Sequence, residues 1–397
     1  MLQAINQQQG ILQTLALLAP SEIAFHRIQS NFYCPNCKEP VLIKAGEKVI
    51  PHFAHHAKSQ CPLKQGGEGE YHERGKFKLY QWLLQQKITA YLEVFIDEIQ
   101  QRADILIELK GRLIAIEFQC ATISNSEFKN RSHGYRSINI TPIWILGGNR
   151  MKRRGARALS MSSFELLFLH QFHNNYPLTM FFYCPNSNQF SIFQNVMTTG
   201  KKKTYGNLYF TKLHQISFYQ LFKKNKADSK QLLIDWKSDK VNFRTRTSPH
   251  VTKIEKYWRQ WLYINHTHPS LLPSIVHLPV PSQFLMNTPP AIWQSKLCIE
   301  ILSSYIYFDL KICYSLLKND IKPQTFYPLV HGDNDPIAEY LTLLCQLKVI
   351  KVVDTTTTFR VIERPIFHRS VDSAINEDEQ VINLLIDYVV PSNYTHD

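Results

Sequence analysis

The stretch RADILIELKGRLIAIEFQ, residues 102–119, decides how the rest of the chain is read. Both halves alternate apolar and polar side chains with period two, the pattern of half-buried strands. Lys110-Gly111 sits between them, and glycine supplies the positive φ that a tight hairpin turn needs. A two-residue loop there sets Leu109 against Arg112, Ile107 against Ile114, Ile105 against Ile116 and Ala103 against Phe118, a face that must be buried. On the other face the same register sets Asp104 across from Glu117 and Arg102 across from Gln119. Facing residues of an antiparallel pair have Cβ atoms about 4.5–5.5 Å apart, where like charges repel. A bound cation would turn that repulsion into attraction, and two converging carboxylates suit a hard divalent ion such as Mg²⁺. The alternative is a hairpin with a wet polar face on which solvent tolerates the acidic pair.

The flanking segments extend this unit. GGEGEYHERGKFKLYQWLLQQKIT, residues 66–89, turns helical after its glycines. Glu70, Glu73, Phe77, Tyr80 and Leu84 fall on one stripe, so one of the two glutamates is expected to reach the carboxylate pair. Acids in a first helical turn are also favoured by the helix dipole alone. His72 and Lys76 form a neighbouring i, i+4 row. AYLEVFID, residues 90–97, reads as a first strand. Ser124 with Glu127 is a capping-box signature that opens a helix over 125–138 and sets Arg131 and Tyr135 on one face. For those two the alternative is packing at the edge of the core. TPIWILGG then reads as a buried strand, which a right-handed crossover would make parallel to the second strand of the hairpin.

The N-terminal region carries its own chemistry. Residues 1–30 read as a short strand pair turning at Gly10, then a helical segment. Cys34 and Cys37 form a C-x₂-C knuckle, a hairpin expected to turn at Ala45-Gly46 follows, and His52, His55, His56 and Cys61 come next. Zinc takes four N or S ligands in closed structural sites. Cys34, Cys37 and Cys61 supply three thiolates, and His55, placed beyond the strand end, is the first choice for the fourth ligand, with His52 the runner-up. A segment this short has little core of its own, which favours a metal staple. A reduced cysteine pair near surface histidines is the alternative.

Across 397 residues, two or three domains are expected. Hydrophobic residues make up 44%, yet no run approaches the eighteen or so apolar residues of a membrane helix. The N-terminus lacks the basic start of a signal peptide, which points to a cytoplasmic protein. Lys and Arg number 45 against 32 acids, a net charge of +13, which favours a polyanionic partner. Eight cysteines, three of them clustered near the N-terminus, suggest metal rather than disulfides. A domain boundary is placed at the basic run RMKRR, residues 150–154. Beyond it, Lys201, Lys202 and Lys203 and the aromatic segments at 181–186 and 207–222 suit single-stranded nucleic acid, or else an aromatic core with solvated lysines. Residues 245–290 read as a looped connector, and 291–365 as helices plus a hairpin of winged-helix character. The acidic tail after residue 373 carries no readable function.

The order of a carboxylate-bearing helix, R-A-D-I, I-E-F-Q, R-x₃-Y and W-I-L resembles the PD-(D/E)XK nuclease superfamily. With the preceding CPNC, HFAH and Cys61 it resembles, more narrowly, the competence protein CoiA-like nucleases. The resemblance covers roughly residues 1–150. It implies an α/β protein with an N-terminal zinc-binding segment (1–65), a restriction-endonuclease-like αβββαβ core (66–150) and a mainly helical C-terminal region (151–397). It also implies a Mg²⁺- or Mn²⁺-dependent deoxyribonuclease acting on DNA, single-stranded or in recombination intermediates, alongside recombination proteins during transformation. Asp104 and Glu117 carry over as metal ligands. Gln119 stands where the wider superfamily has a lysine, and orients the attacking water. His72 and Lys76 match an H-x₃-K helix pattern, His72 as a hydrogen-bonding partner; Glu70 matches as an acid near the metal. Lys76, Arg131 and Tyr135 are expected to touch phosphates. A zinc-stapled DNA-binding recombination factor that no longer cuts is the competing reading, and an RNA-processing enzyme a third.

Overall fold

The hairpin lies inside an eight-stranded mixed sheet, in a computed structural model that describes residues 1–46, 49–59, 61, 69–225, 228–246, 251–353 and 357–389. The chain begins with a separate five-stranded antiparallel sheet: β1 (Gln3–Asn6), β2 (Leu12–Thr14), β3 (Phe32–Tyr33), β4 (Pro40–Gly46) and β5 (Val49–His55), with α1 (Pro20–Gln29) between β2 and β3. Gly10, at φ +68°, supplies the turn between β1 and β2. The β4–β5 hairpin does not turn at Ala45-Gly46. Gly46 still pairs with Val49, and residues 47–48 lie outside the described residues.

Next come α2 (Glu70–Gln85), β6 (Thr89–Ile96), β7 (Gln101–Leu109), β8 (Arg112–Gln119), α3 (Asn125–Ser137) and β9 (Thr141–Gly147), the αβββαβ order expected. Leu109–Arg112, Ile107–Ile114 and Ile105–Ile116 pair as derived, across a turn whose two residues, Lys110 and Gly111, both have positive φ. β9 runs parallel to β8, with Glu117 beside Trp144. The Ser124 hydroxyl accepts the Glu127 amide at 3.0 Å and opens α3. The α2 stripe differs from expectation: Phe77 is buried but Leu84 is 42% exposed, while Leu79, Trp82 and Leu83 are buried instead. Trp82 explains the rotation. Its indole donates to the Ile216 carbonyl at 2.8 Å, 134 residues along the chain, and its ring meets Phe190 and Phe218.

The sheet does not end at β9. After β10 (Ala158–Ser160) and α4 (Ser163–Leu166), the strands β11 (Thr179–Cys184), β12 (Gln189–Thr198) and β13 (Lys203–Lys212) join it, giving the order β10-β13-β12-β11-β9-β8-β7-β6. It therefore crosses residue 150, where a boundary was expected. Many aromatics of this region are core: Phe181, Phe182, Tyr183, Phe190, Phe193 and Phe218 are buried, whereas Phe210 and Tyr219 are exposed.

The C-terminal region holds α5 (Ser229–Thr245), α6 (Lys253–Ile264), α7 (Pro290–Lys296), β14 (Tyr307–Asp309), α8 (Leu310–Leu317), α9 (Pro336–Gln346), β15 (Ile350–Val352), β16 (Thr358–Val361) and α10 (Val371–Val389). From α7 to β16 the order is helix, strand, helix, helix, hairpin, with the three strands ordered β14-β16-β15, as in a winged-helix module. The expected looped connector at 245–290 contains α6, and the stretch 272–280 is buried: Leu272, Val276, Leu278 and Val280 are core. Its carbonyls find a partner in the interior, because the buried Lys240 amine donates to Ser274 and Val276 at 2.8 and 2.7 Å. The acidic tail forms α10, whose Asp378 is buried against Arg244 at 2.9 Å and Lys240 at 3.1 Å. No described helix is long and apolar enough to cross a membrane.

α2 meets β8 at Gly75, where an added Cβ would fall inside the van der Waals shell of the Phe118 ring. Gly75→Ala must displace either the ring or the helix, and is expected to lower stability by about 1–3 kcal/mol in urea unfolding. An unchanged unfolding midpoint would show that α2 is not pressed against the sheet.

Candidate functional site

Backbone pairing between β7 and β8 runs to Ile105–Ile116. Beyond that point the Phe118 amide donates to Asp104 Oδ2 at 2.9 Å. A side chain thus takes over from the ladder where Asp104 and Glu117 sit. The alternation of β7 slips at the same place. Ala103 does not continue the Ile105–Phe118 row but joins Ile96, Leu106, Ala115 and Tyr135 on the α3 face. The Asp104 carboxylate is held from the α2 side and the Glu117 carboxylate from the α3 side.

Glu117 is 3% exposed, and each of its oxygens has its own donor. The Tyr135 hydroxyl donates to Oε1 and the Arg131 guanidinium to Oε2, from positions one turn apart on α3. Arg131 also donates to the Arg102 carbonyl at 3.1 Å, which ties α3 to β7. Burial pushes the Glu117 carboxyl above the ordinary carboxylate range; the Arg131 charge pulls it back and the Asp104 charge pushes it further up. That last effect is the like-charge repulsion the register implied.

On the other side, His72 Nε2 lies 3.4 Å from Asp104 Oδ2, with its ring stacked on Phe118. The Lys76 amine lies 3.8 Å from Asp104 Oδ1 and 3.2 Å from Glu73 Oε2, and it hydrogen-bonds Glu93. Lys76 has no exposed surface, and Arg131 and Tyr135 direct their polar ends at Glu117. None of the three therefore presents a free polar end to a phosphate here, contrary to expectation. Glu70 turns back to Arg74 one helical turn on, so Glu73 is the α2 acid that lies beside Lys76. The Gln119 amide nitrogen donates to the Ala121 carbonyl at 2.8 Å.

Glu93 is the functional-site residue that the sequence did not single out. The β6–β7 register is continuous from Leu92–Ile105 to Val94–Ala103, which sets Glu93 directly across from Asp104. It has φ +51°, a left-handed conformation rare in a strand, and is buried. One of its oxygens bonds Lys76; the other accepts the amides of Leu2 and Gln3 at 2.8 and 3.1 Å. Three acids, Glu93, Asp104 and Glu117, thus cross three adjacent strands in a row. An acid interrupting the apolar run AYLEVFID was the available signal.

A second cluster lies in the N-terminal sheet. Ligand atoms of Cys34, Cys37, His55 and Cys61 all lie within 4.8 Å of one another. Cys37 Sγ is 3.4 Å from His55 Nε2. His52 instead sets its Nδ1 2.8 Å from the Ile50 carbonyl, so the structure selects His55. The knuckle follows β3, His55 ends β5 and Cys61 lies beyond it. Burial and the neighbouring Cys61 and Cys34 thiols push the Cys37 thiol up to about 12, a crowding that a cation in place of the protons removes. Three sulfurs and one imidazole suit a tetrahedral, borderline-soft metal ion. Among the described residues this is the one group of three or more potential ligands that close.

Three family models match the chain in succession: the competence protein CoiA N-terminal domain over residues 16–64, its nuclease-like domain over 68–226 and its C-terminal domain over 234–375. The competence protein CoiA of Bacillus subtilis (strain 168) is 30% identical over 269 residues, covering 67% of this chain and 71% of that protein. The chain belongs to the competence protein CoiA family. No solved structure matches it.

The CoiA nuclease-like match includes all eight strands of the large sheet and ends at residue 226, beyond β13. The Cys₃His cluster falls within the N-terminal match, and the winged-helix order within the C-terminal one. Metal analysis of the purified CoiA-family protein is expected to find about one transition-metal ion per chain, retained in His52→Ala and lost in Cys61→Ser. Equal metal content in all three proteins would remove Cys61 from the ligand set.

Proposed function

We propose that this CoiA-family protein is a divalent-metal-dependent DNA nuclease of the cytoplasm, processing DNA during competence and transformation together with recombination proteins. The observation that carries the reading is the pair of buried carboxylates, Asp104 and Glu117, at the point where the β7–β8 ladder opens, within the nuclease-like match. Their hard oxygens fit Mg²⁺ or Mn²⁺ by donor chemistry. Such an ion, when bound, lowers the pKa of a water and neutralises charge developing on a scissile phosphate.

The side chains around the pair have distinct tasks on this reading. Arg131 and Tyr135 fix the Glu117 carboxylate, and His72 fixes that of Asp104. Lys76 supplies, from α2, a positive charge beside Asp104 that Gln119 on β8 does not carry. Gln119, its nitrogen tied to Ala121, offers its oxygen to orient the attacking water. Glu70, turned to Arg74, acts at most through water. Zinc in the Cys₃His cluster holds the N-terminal sheet and takes no part in the chemistry. The net charge of +13 supports a nucleic-acid substrate.

A second reading, a zinc-stapled DNA-binding recombination factor without cleavage, is favoured by one observation. Both Glu117 oxygens are already bonded to protein donors, and Lys76 is sealed from solvent. Incubation with labelled single- and double-stranded DNA, in Mg²⁺, Mn²⁺ or EDTA, separates the two. Divalent-dependent cutting is expected, reduced at least about a hundredfold in Asp104→Asn with DNA binding in EDTA preserved. Cutting by Asp104→Asn at the parent rate refutes the site assignment. Binding without cutting in every condition establishes the factor instead.

A further inference from the structure

The lysine run at 201–203 and helix α6 play no part in the carboxylate site. They meet across a cavity of about 750 Å³, walled by the β12–β13 turn, α5, α6 and the start of α7. Lys201, Lys202, Lys203, Arg246 and Arg259 line it, against Asp239 and Glu255. Both acids are already engaged. Asp239 lies 3.1 Å from Lys203 and 3.2 Å from His277; Glu255 lies 2.7 Å from Arg259 and 3.8 Å from Lys201. The cavity therefore keeps an excess of three positive charges, in a concave space where low-dielectric walls concentrate the field.

Helix α6 adds a different chemistry. Trp258 and Leu262 anchor it inward. Its outer side exposes Tyr257 at 59% and Tyr263 at 82%, interleaved with Lys253, Lys256 and Arg259, and the Lys253 amine lies over the Tyr257 ring. A second, shallower groove on this side is lined by Val251, Lys256, Arg259, Gln260, Tyr263 and Ile264. Arg259 belongs to both hollows. The two form one track of cations and exposed rings.

We propose that this track binds single-stranded nucleic acid. Cations alone would serve any polyanion, but exposed rings between them fit only a partner that presents both phosphates and open base faces. A duplex hides its base faces in the stack, and an acidic protein has none. The inference rests on the DNA-directed reading above and adds to it a place, outside the carboxylate cleft, where a strand is held. Of the aromatics at 207–222, read from sequence as part of that surface, Phe218 is buried while Phe210 and Tyr219 are exposed away from this cavity. Tyr257 and Tyr263 of α6, in a segment read as a looped connector, are the exposed rings that stand among the cations of the track.

Binding is read by fluorescence anisotropy in EDTA, on the full chain, with a labelled oligothymidylate of roughly 20 nucleotides. Lys202→Glu/Arg246→Glu is expected to weaken binding by about tenfold or more and to flatten the salt dependence by about 1.4 logarithmic units per logarithmic unit of salt, two phosphate contacts at about 0.7 each. Tyr257→Ala/Tyr263→Ala is expected to weaken it by about fivefold or more with the salt dependence unchanged. All four residues are exposed, and unchanged thermal melting checks that each variant folds. Binding within twofold of the parent in both variants overturns the proposal. So does equal competition by polyglutamate, which would mark a general anion surface, or by thymidine monophosphate at micromolar concentration, which would mark a mononucleotide pocket. A parent protein that binds in EDTA but never cuts in Mg²⁺ or Mn²⁺ removes the nuclease reading and leaves this one; a cutting parent with fully binding variants does the reverse.

Discussion

Three buried acids meet around one lysine and a fourth around an arginine, and the arrangement of the nuclease-like region depends on how they are neutralised. Glu93, Asp104 and Glu117 come from three neighbouring strands, and Glu73 from the helix above them. A buried carboxylate without a partner is costly, and breaking one buried pair typically costs about 3–5 kcal/mol. Lys76 answers three of the four from α2, and Arg131 with Tyr135 answers Glu117 from α3. The helices are therefore positioned on the sheet by charge as well as by apolar contact. Gly75 lets α2 come close enough over Phe118 for Lys76 to do this.

The same network reaches the N-terminal sheet that carries the Cys₃His cluster. Glu93 accepts the amides of Leu2 and Gln3, which start β1, and the Phe53 amide on β5 donates to the Met1 carbonyl at 2.8 Å. β5 ends at His55, a member of the Cys₃His cluster. A continuous chain of bonds thus runs from that cluster through β5 and β1 to Glu93, Lys76 and Asp104. The N-terminal sheet has a small core of its own, and a metal held by the Cys₃His cluster would stiffen the platform from which Glu93 is held. Loss of that metal would loosen a counter-charge of the carboxylate site as well as the sheet that carries it.

Local periodicity carried the parts of this fold whose partners are close in sequence. The 102–119 register, the α3 cap at Ser124 and the shared face of Arg131 and Tyr135 were legible because each depends on spacings of a few residues, and His55 as the fourth member of the Cys₃His cluster was legible from its place at the strand end. The misreadings share a cause as well. Leu84 was taken for core because Trp82 finds its partners at Ile216 and Phe218, far along the chain. The boundary at 150 failed because β11–β13 complete the sheet from the far side of a basic, loop-like run. The segment 245–290 reads as a looped connector because prolines and histidines mask a stretch whose carbonyls bond the Lys240 amine. Glu93 was passed over because its importance lies in being opposite Asp104, and no register for β6 was read.

The strand positions explain why a glutamine at 119 is compatible with the chemistry proposed. A lysine there would project from β8 beside Glu117, but that carboxylate already has one cation, Arg131, and a hydroxyl from Tyr135. Asp104 accepts the Phe118 amide at 2.9 Å and faces a histidine at 3.4 Å. Lys76 stands 3.8 Å from it, on the helix side, shared with Glu73 and Glu93. Positive charge is thus distributed to both carboxylates from two helices, rather than from a third residue of the hairpin. In that arrangement a charged side chain at 119 would crowd an ion pair that is already satisfied, whereas an amide can bond the backbone at Ala121 and still present an oxygen.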